Sequence, residues 1–226
     1  SNITETNPLT AVRIKEAVRV YRAQVVTFDS AITNMSKLAS HPFLIKPGTE
    51  GAVIDGLVKA TIELDVVDEA AVGKHPQAFE ALKKAVASLS MEQLTAQTGL
   101  SSEVFGEIAR LFAESPRSII LCAEGIVRRT NGYQNVLKLV DLAWITARLG
   151  QPGCGVSTVT EEPKEQGPVD MGAASEFLPG QGRYGDPEVR DRFAKAWGTV
   201  LPSPSSSAHL VEILKRCRTG EIKALY

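Results

Sequence analysis

The residues of this sequence that could do chemistry are scattered, and spacing decides how far each one reaches. Gly180, Gly182 and Gly185 form a literal GxGxxG, the spacing that lets a dinucleotide pyrophosphate approach a helix N-terminus. That fingerprint needs a strand directly before it. Here EFLPG precedes it and a proline-started helix comes next, so the glycines read as a loop cluster. The end of the run AQVVTFD is a better nucleotide position, because an acidic residue there can bind ribose hydroxyls at the carboxyl edge of a parallel sheet. Asp29 can equally cap the next turn of the chain. Arg128 and Arg129 could offer guanidinium forks to phosphate or lie solvated on the surface. Glu161, Glu162, Lys164 and Glu165 read as the solvated face of a loop. His41, before Pro42, has no acid or nucleophile beside it, which favours a capping or surface role over a general base.

Cys122, Cys154 and Cys217 contain no CxxC pair, and His41, His75 and His209 contain no HxxxH or HExxH pair. No disulfide framework or metal site is legible, and a reducing compartment is favoured.

Elements must position these groups. Residues 8–22 repeat apolar side chains at helical spacing and run directly into the strand-like AQVVTFD. HPFLIKPGT reads as a second strand ended by Pro47-Gly48, followed by a helix over 50–64. Residues 77–113 are helical throughout, with Ser101 or Ser102 capping the last helix. SIILCAEG (118–125) reads as a buried strand and 132–149 as a helix packed on the sheet. Residues 150–185 are dense in glycine and proline and lose all periodicity, so they read as one long loop held in shape by packing. Helices follow over 187–197, where Asp186 caps and Pro187 opens, and over 207–218. EIKALY then reads as a last strand. Starting just after a strand is due and ending inside one, the chain reads as part of something larger.

With 25 Lys+Arg against 26 Asp+Glu, the net charge of −1 gives no field to capture nucleic acid or an anionic membrane. No apolar stretch approaches the roughly 18 residues that span a bilayer, and the first residues lack a basic start and an apolar core. Neither a membrane span nor a secreted precursor is expected.

Taken in order, VVTFDSAITNMSKLASHPFLIKPGTEGAVIDGL, SIILCAEGIVRRTNGYQNV, LGQPGCGV, QGPVDMGA and DPEVRDRFAKAWG resemble the central part of the large subunit of molybdopterin-dependent oxidoreductases. The nearest branch is the formate dehydrogenase alpha subunit with the G subunit of NADH-quinone oxidoreductase. The resemblance covers nearly the whole chain. It implies a three-layer α/β sandwich with a mostly parallel Rossmann-like sheet, of the formate dehydrogenase/DMSO reductase domain type, occupying 1–226 as one domain and lacking at least one strand. It further implies a molybdopterin guanine dinucleotide site, with 150–185 facing the cofactor. The iron–sulfur segment and the metal-ligating residue would lie upstream. Partners would be the rest of a parent chain and other subunits of an electron-transfer complex, in the cytoplasm or at the inner face of a membrane.

Carried over position by position, Ser1, Asn2, Thr4 and Glu5 match the family's loop after its first strand, and Asp29 the acidic residue ending the second. Gly125 matches the turn after the third strand, and Gly167, Asp170, Met171 and Gly172 the loop that folds toward the pterin. No residue is assigned as catalytic or as a metal ligand. The departures matter equally. Asp29-Ser30-Ala31 stands where formate dehydrogenases read Asp-Pro-Arg, and Ala123-Glu124-Gly125 where they read Gly-Met-Gly. Arg128-Arg129 replaces Gln-His, and Thr160-Glu161-Glu162-Pro163-Lys164 replaces Arg-Gly-Gln-Asn-Asn. A carboxylate repels formate where a guanidinium would stabilise it. These changes imply an eroded site, as in a cofactor-free structural domain of a respiratory complex.

Overall fold

The computed structural model describes residues 2–159, 166–203 and 210–225. The chain divides into two compact units, Ser1–Glu161 and Glu162–Tyr226.

The first unit opens with α1 (Ile3–Thr6), capped by the Asn2 side chain, and α2 (Pro8–Tyr21), where Pro8 sits at a position whose N–H has no helical partner. β1 (Val26–Asp29) and β2 (His41–Leu44) pair in parallel, Val26 opposite His41 and Asp29 opposite Leu44. Phe28 and Phe43 stack across this pair at 5.4 Å.

α3 (Glu50–Glu63) follows and is buried on nearly every side. Two glycines make that possible. A Cβ on Gly56 would lie 2.5 Å from the Phe105 ring, and one on Gly51 would lie 2.7 Å from Asn135 Oδ1. Lys59 is buried as well, its ammonium 2.7 Å from Glu63 Oε1 and donating to the Val86 carbonyl.

Around α3 lie α4 (Glu69–Gly73), α5 (Pro76–Ala87), α6 (Met91–Thr98) and α7 (Ser102–Glu114). Ser90 and Ser101 accept from the third residues of α6 and α7, satisfying N–H groups that the helices cannot. β3 (Ile119–Ala123) passes through α8 (Glu124–Val127) to α9 (Gly132–Ile145), and β4 (Gly155–Val159) pairs with β3 in parallel, Ile119 opposite Gly155.

Val53, Ile54, Leu57 and Val58 of α3, Phe105 and Ile108 of α7, and Leu139, Leu142 and Ile145 of α9 form one apolar core, with Val26, Phe28, Phe43, Ile120 and Val156 packed on it from the strands. Each fully buried side chain of the helices is worth about 1.5–3 kcal/mol, and the partly buried strand residues less.

The second unit holds α10 (Gln166–Asp170), an antiparallel pair of β5 (Phe177–Leu178) and β6 (Gly182–Arg183), α11 (Pro187–Trp197) and α12 (Leu210–Arg218). Asp186 caps α11 through the N–H groups of Glu188 and Val189. The GxGxxG glycines thus surround a short hairpin ahead of α11.

Three expectations change. Residues 155–159 are a strand rather than loop, because their β-branched side chains pair in register with β3 while neighbouring glycines mask the pattern. The helix from 132 ends at Ile145, where Ala147 takes φ 55° and the Arg148 N–H turns back to the Ala143 carbonyl. Residues 222–225 form no strand, because the Glu221 and Ile222 N–H groups bond back to the Arg216 carbonyl and close α12. The chain is an α/β mixture. Among the described residues its parallel strands form two ladders of two, not one sheet.

Candidate functional site

The segment after β2 meets the segment after β3. Glu50 Oε1 lies 3.3 Å from Arg129 Nη2 and also accepts from the Gly48 N–H. The segments that leave the carboxyl ends of β2 and β3 therefore meet, and the carboxyl ends of parallel strands are where open α/β sheets bind ligands. Arg129 Nε also donates to the Gly125 carbonyl, while Arg128 grips Glu124 with Nε at 3.1 Å from Oε2 and Nη2 at 3.2 Å from Oε1. Both arginines are thus tied to carboxylates, an arrangement between the two readings of the sequence.

Beside these pairs, the starts of α3 and α9 share a cavity of about 400 Å³ lined by Thr49, Gly51, Asp55, Asn131 and Lys138 among others. Neither N-cap residue bonds its own helix through its side chain. Thr49 Oγ1 donates instead to the Lys46 carbonyl at 2.7 Å. The first N–H groups of a helix lack a partner within that helix, so two helix starts give the cavity a positive lean. Lys138 Nζ, 2.7 Å from Asp55 Oδ2, adds a neutral pair. Asn135 is only 1% exposed, and its Oδ1, packed against Gly51, has no hydrogen-bond partner. Residue types and spacing did not single out this cavity. Its signal was Pro47-Gly48-Thr49 followed by Gly51, a helix start with no side chain to block it.

The predicted residues fall into two groups. In the first unit, Thr4 Oγ1 donates to Asn2 Oδ1 at 2.6 Å and Asn2 Nδ2 to Glu5 Oε1 at 2.8 Å, so these three form one local polar knot. Asp29 Oδ1 accepts from the N–H of the next residue, Ser30, at 2.9 Å, and no helix starts there for it to cap. Gly125 is exposed in the first turn of α8. In the second unit, Gly167 and Asp170 lie on α10, and the Asp170 carboxylate and carbonyl accept from Gln181 Nε2 and the Gly180 N–H. Met171 is 76% exposed, and Gly172 takes φ 85°, where a Cβ would meet Pro179. Ser1 and Thr160 to Glu165 lie outside the described residues. His41 Nε2 is 3.3 Å from Glu107 Oε1, a partner supplied by α7 that the sequence did not reveal. Among the described residues no group of three His, Cys, Asp or Glu could hold a metal ion, and no helix is long and apolar enough to cross a membrane.

No protein-family model matches the chain. Its full length aligns at 29% identity with formate dehydrogenase H of Escherichia coli, covering 31% of that protein. It aligns at 30% identity with the assimilatory nitrate reductase catalytic subunit of Bacillus subtilis, again over the full chain and 32% of the relative. The chain is a homologue of the molybdopterin oxidoreductases. It spans about a third of the length of these relatives. Among solved structures, acetylene hydratase from Pelobacter acetylenicus matches 66% of this homologue and 20% of its own chain, with a TM-score of 0.58 and 20% identity, a likeness of fold.

Proposed function

We propose that this chain is part of the large subunit of a molybdopterin-family oxidoreductase and contributes the surface that holds the nucleotide portion of its cofactor. The observation that carries the reading is the cavity that the starts of α3 and α9 share, with the orphaned Asn135 Oδ1 packed behind Gly51 of its lining. Such a surface fits a phosphate and the polar edge of a base. On this reading Thr49, Gly51 and Asn131 bind and orient, with Asn135 supporting Gly51 from behind, while Asp29 and the Asn2, Thr4 and Glu5 knot border the carboxyl ends of the strands. Gly167, Asp170, Met171 and Gly172 contribute the pterin-facing loop. The cofactor itself would supply the redox chemistry, with an iron–sulfur segment elsewhere in the enzyme. The proposed framework is a three-layer fold with one parallel sheet, and the proposed setting is a cytoplasmic electron-transfer complex.

A second reading is favoured by one observation. Arg128 and Arg129, the cations nearest the carboxyl end of β3, are both held by carboxylates of this chain, which weakens a phosphate site. Together with Ala31 in place of the family's arginine, this supports a cofactor-free structural domain like the G subunit of NADH-quinone oxidoreductase. Calorimetric titration of GDP into the chain and into Asp29→Ala separates the two. Binding weakened by the substitution supports the cofactor surface with Asp29 in it. Binding unchanged by it removes Asp29 from the site, and no binding to either protein supports the structural domain.

A further inference from the structure

Arg128 and Arg129 are held by carboxylates, and Lys138 is the one cation among the described residues that line the cavity. Lys138 stands about two turns along α9 from Asn131, so both share one helix face. Asp55 stands about one turn along α3 from Gly51 and shares its face in the same way. The pair they form, with Lys138 Nζ 2.7 Å from Asp55 Oδ2, therefore crosses from one helix to the other within the cavity wall.

This pair is more than a fastening between helices. α3 and α9 are already joined by the apolar core they share and by the close seat of Gly51 on Asn135. The Lys138 and Asp55 side chains keep 34% and 19% of their surface exposed, so a solute can reach both. Glu124, by contrast, keeps 10%, and would be left as a buried, uncompensated carboxylate if Arg128 swung away. An ammonium carries three N–H donors on a flexible stem, and Asp55 is the one partner of Lys138 among the described residues. Donors are therefore left over for a ligand.

We propose that Lys138 is the residue that binds an anion in this cavity and that Asp55 gates it. Without a ligand the carboxylate holds the ammonium and cancels its charge. A phosphate ester seated at the starts of α3 and α9, where the helix dipoles favour an anion, competes for the ammonium and takes its remaining donors. Asp55 repels the same phosphate, so the gate lowers affinity for anions and leaves uncharged ligands untouched. The inference rests on the cofactor reading above, in which the cavity receives the phosphate of a nucleotide, and adds the residue that meets it and the residue that restrains it.

Calorimetric titration of GDP, and of guanosine, which lacks the phosphates, tests this on the full chain, Lys138→Met, Asp55→Asn and the double variant. GDP should bind about tenfold weaker to Lys138→Met and about tenfold tighter to Asp55→Asn, in line with one charge-assisted hydrogen bond lost or released, and the double variant should lose the gain. Guanosine should bind all four proteins alike. GDP that binds the chain and ignores Lys138→Met, or binds Asp55→Asn no better, overturns the inference and leaves the cofactor surface standing. GDP that binds Asp55→Asn, and neither the chain nor the double variant, supports the gate while counting against the cofactor reading. Guanosine affinities that move with those of GDP reveal a change in the shape of the cavity and overturn the inference, as does the absence of GDP binding to all four proteins. Asp55→Asn keeps the shape of its side chain and an acceptor for Lys138, so it decides alone where Lys138→Met fails to fold.

Discussion

Glu50 Oε1 and Arg129 Nη2 lie 3.3 Å apart across 79 residues of sequence, closing the loop after β2 onto the loop after β3. The pair competes with any phosphate for the guanidinium. Glu50→Gln keeps an acceptor for the Gly48 N–H and releases the Arg129 charge. On the cofactor reading, GDP should bind about tenfold tighter to Glu50→Gln, in line with one charge-assisted hydrogen bond. Arg129→Met added to it should cancel the gain. Calorimetry measures both, and weaker binding to Glu50→Gln would show the carboxylate itself to be a ligand contact. Arg129 is half exposed, so thermal stability should move by less than about 1 kcal/mol.

Gly56 sets how closely α3 approaches α7. A methyl group there would stand 2.5 to 2.8 Å from three atoms of the Phe105 ring, and Phe105 is fully buried. Gly56→Ala should therefore destabilise the chain by about 1–3 kcal/mol despite the better helix propensity of alanine. Chemical denaturation followed by circular dichroism reads the change. In a Phe105→Leu background the added cost of Gly56→Ala should shrink, because the clashing atoms are gone; an unchanged cost would place the strain elsewhere.

Asp141 is half-buried on α9, and that burial raises its carboxyl above the ordinary value. A raised carboxyl means that the unfolded chain gives up its proton first. The stability present below the unfolded-state value is thus lost as pH rises through the folded one. Asp141→Asn should raise Tm at pH 7 and leave it nearly unchanged near about pH 3, where both states are protonated. An equal rise at both pH values would point to a cause other than titration.

Much of this fold could be read from the sequence because local signals agreed with the final packing. Pro8, Asp186 and Pro187 mark helix starts that the structure realises, and AQVVTFD and SIILCAEG hold strands as expected, the second ending at Ala123 where α8 takes over Glu124 and Gly125. β4 was hidden because Gly150, Gly153 and Gly155 take positive φ and crowd its start, and strand pairing, not composition, rescues it. The cavity between α3 and α9 was hidden for another reason. Gly51 and Asn135 are 84 positions apart, and only their packing reveals that one exists to admit the other. The partners of Arg128, Arg129 and His41 follow the same logic: residue type suggested charge chemistry, and tertiary contacts decided what each charge faces.

Gly172 tests whether the loop proposed to face the pterin holds a fixed shape. Its φ of 85° is a conformation that side chains rarely adopt, and a Cβ there would lie 2.8 Å from Pro179 Cδ and 2.9 Å from the Pro179 nitrogen. Neither atom can move alone, since the Gly180 N–H next to Pro179 donates to the Asp170 carbonyl at 2.7 Å. Gly172→Ala should cost about 1–3 kcal/mol of local strain. That cost should appear as faster amide exchange and faster proteolysis between residues 166 and 184. The thermal transition of the first unit, monitored through the Trp144 environment, should stay where it is. Gly167→Ala is the matched control, because a Cβ at Gly167 meets nothing within 4 Å. Equal effects from the two substitutions would mean that the turn at Gly172 does not hold the loop, and would remove the structural support for its pterin-facing role.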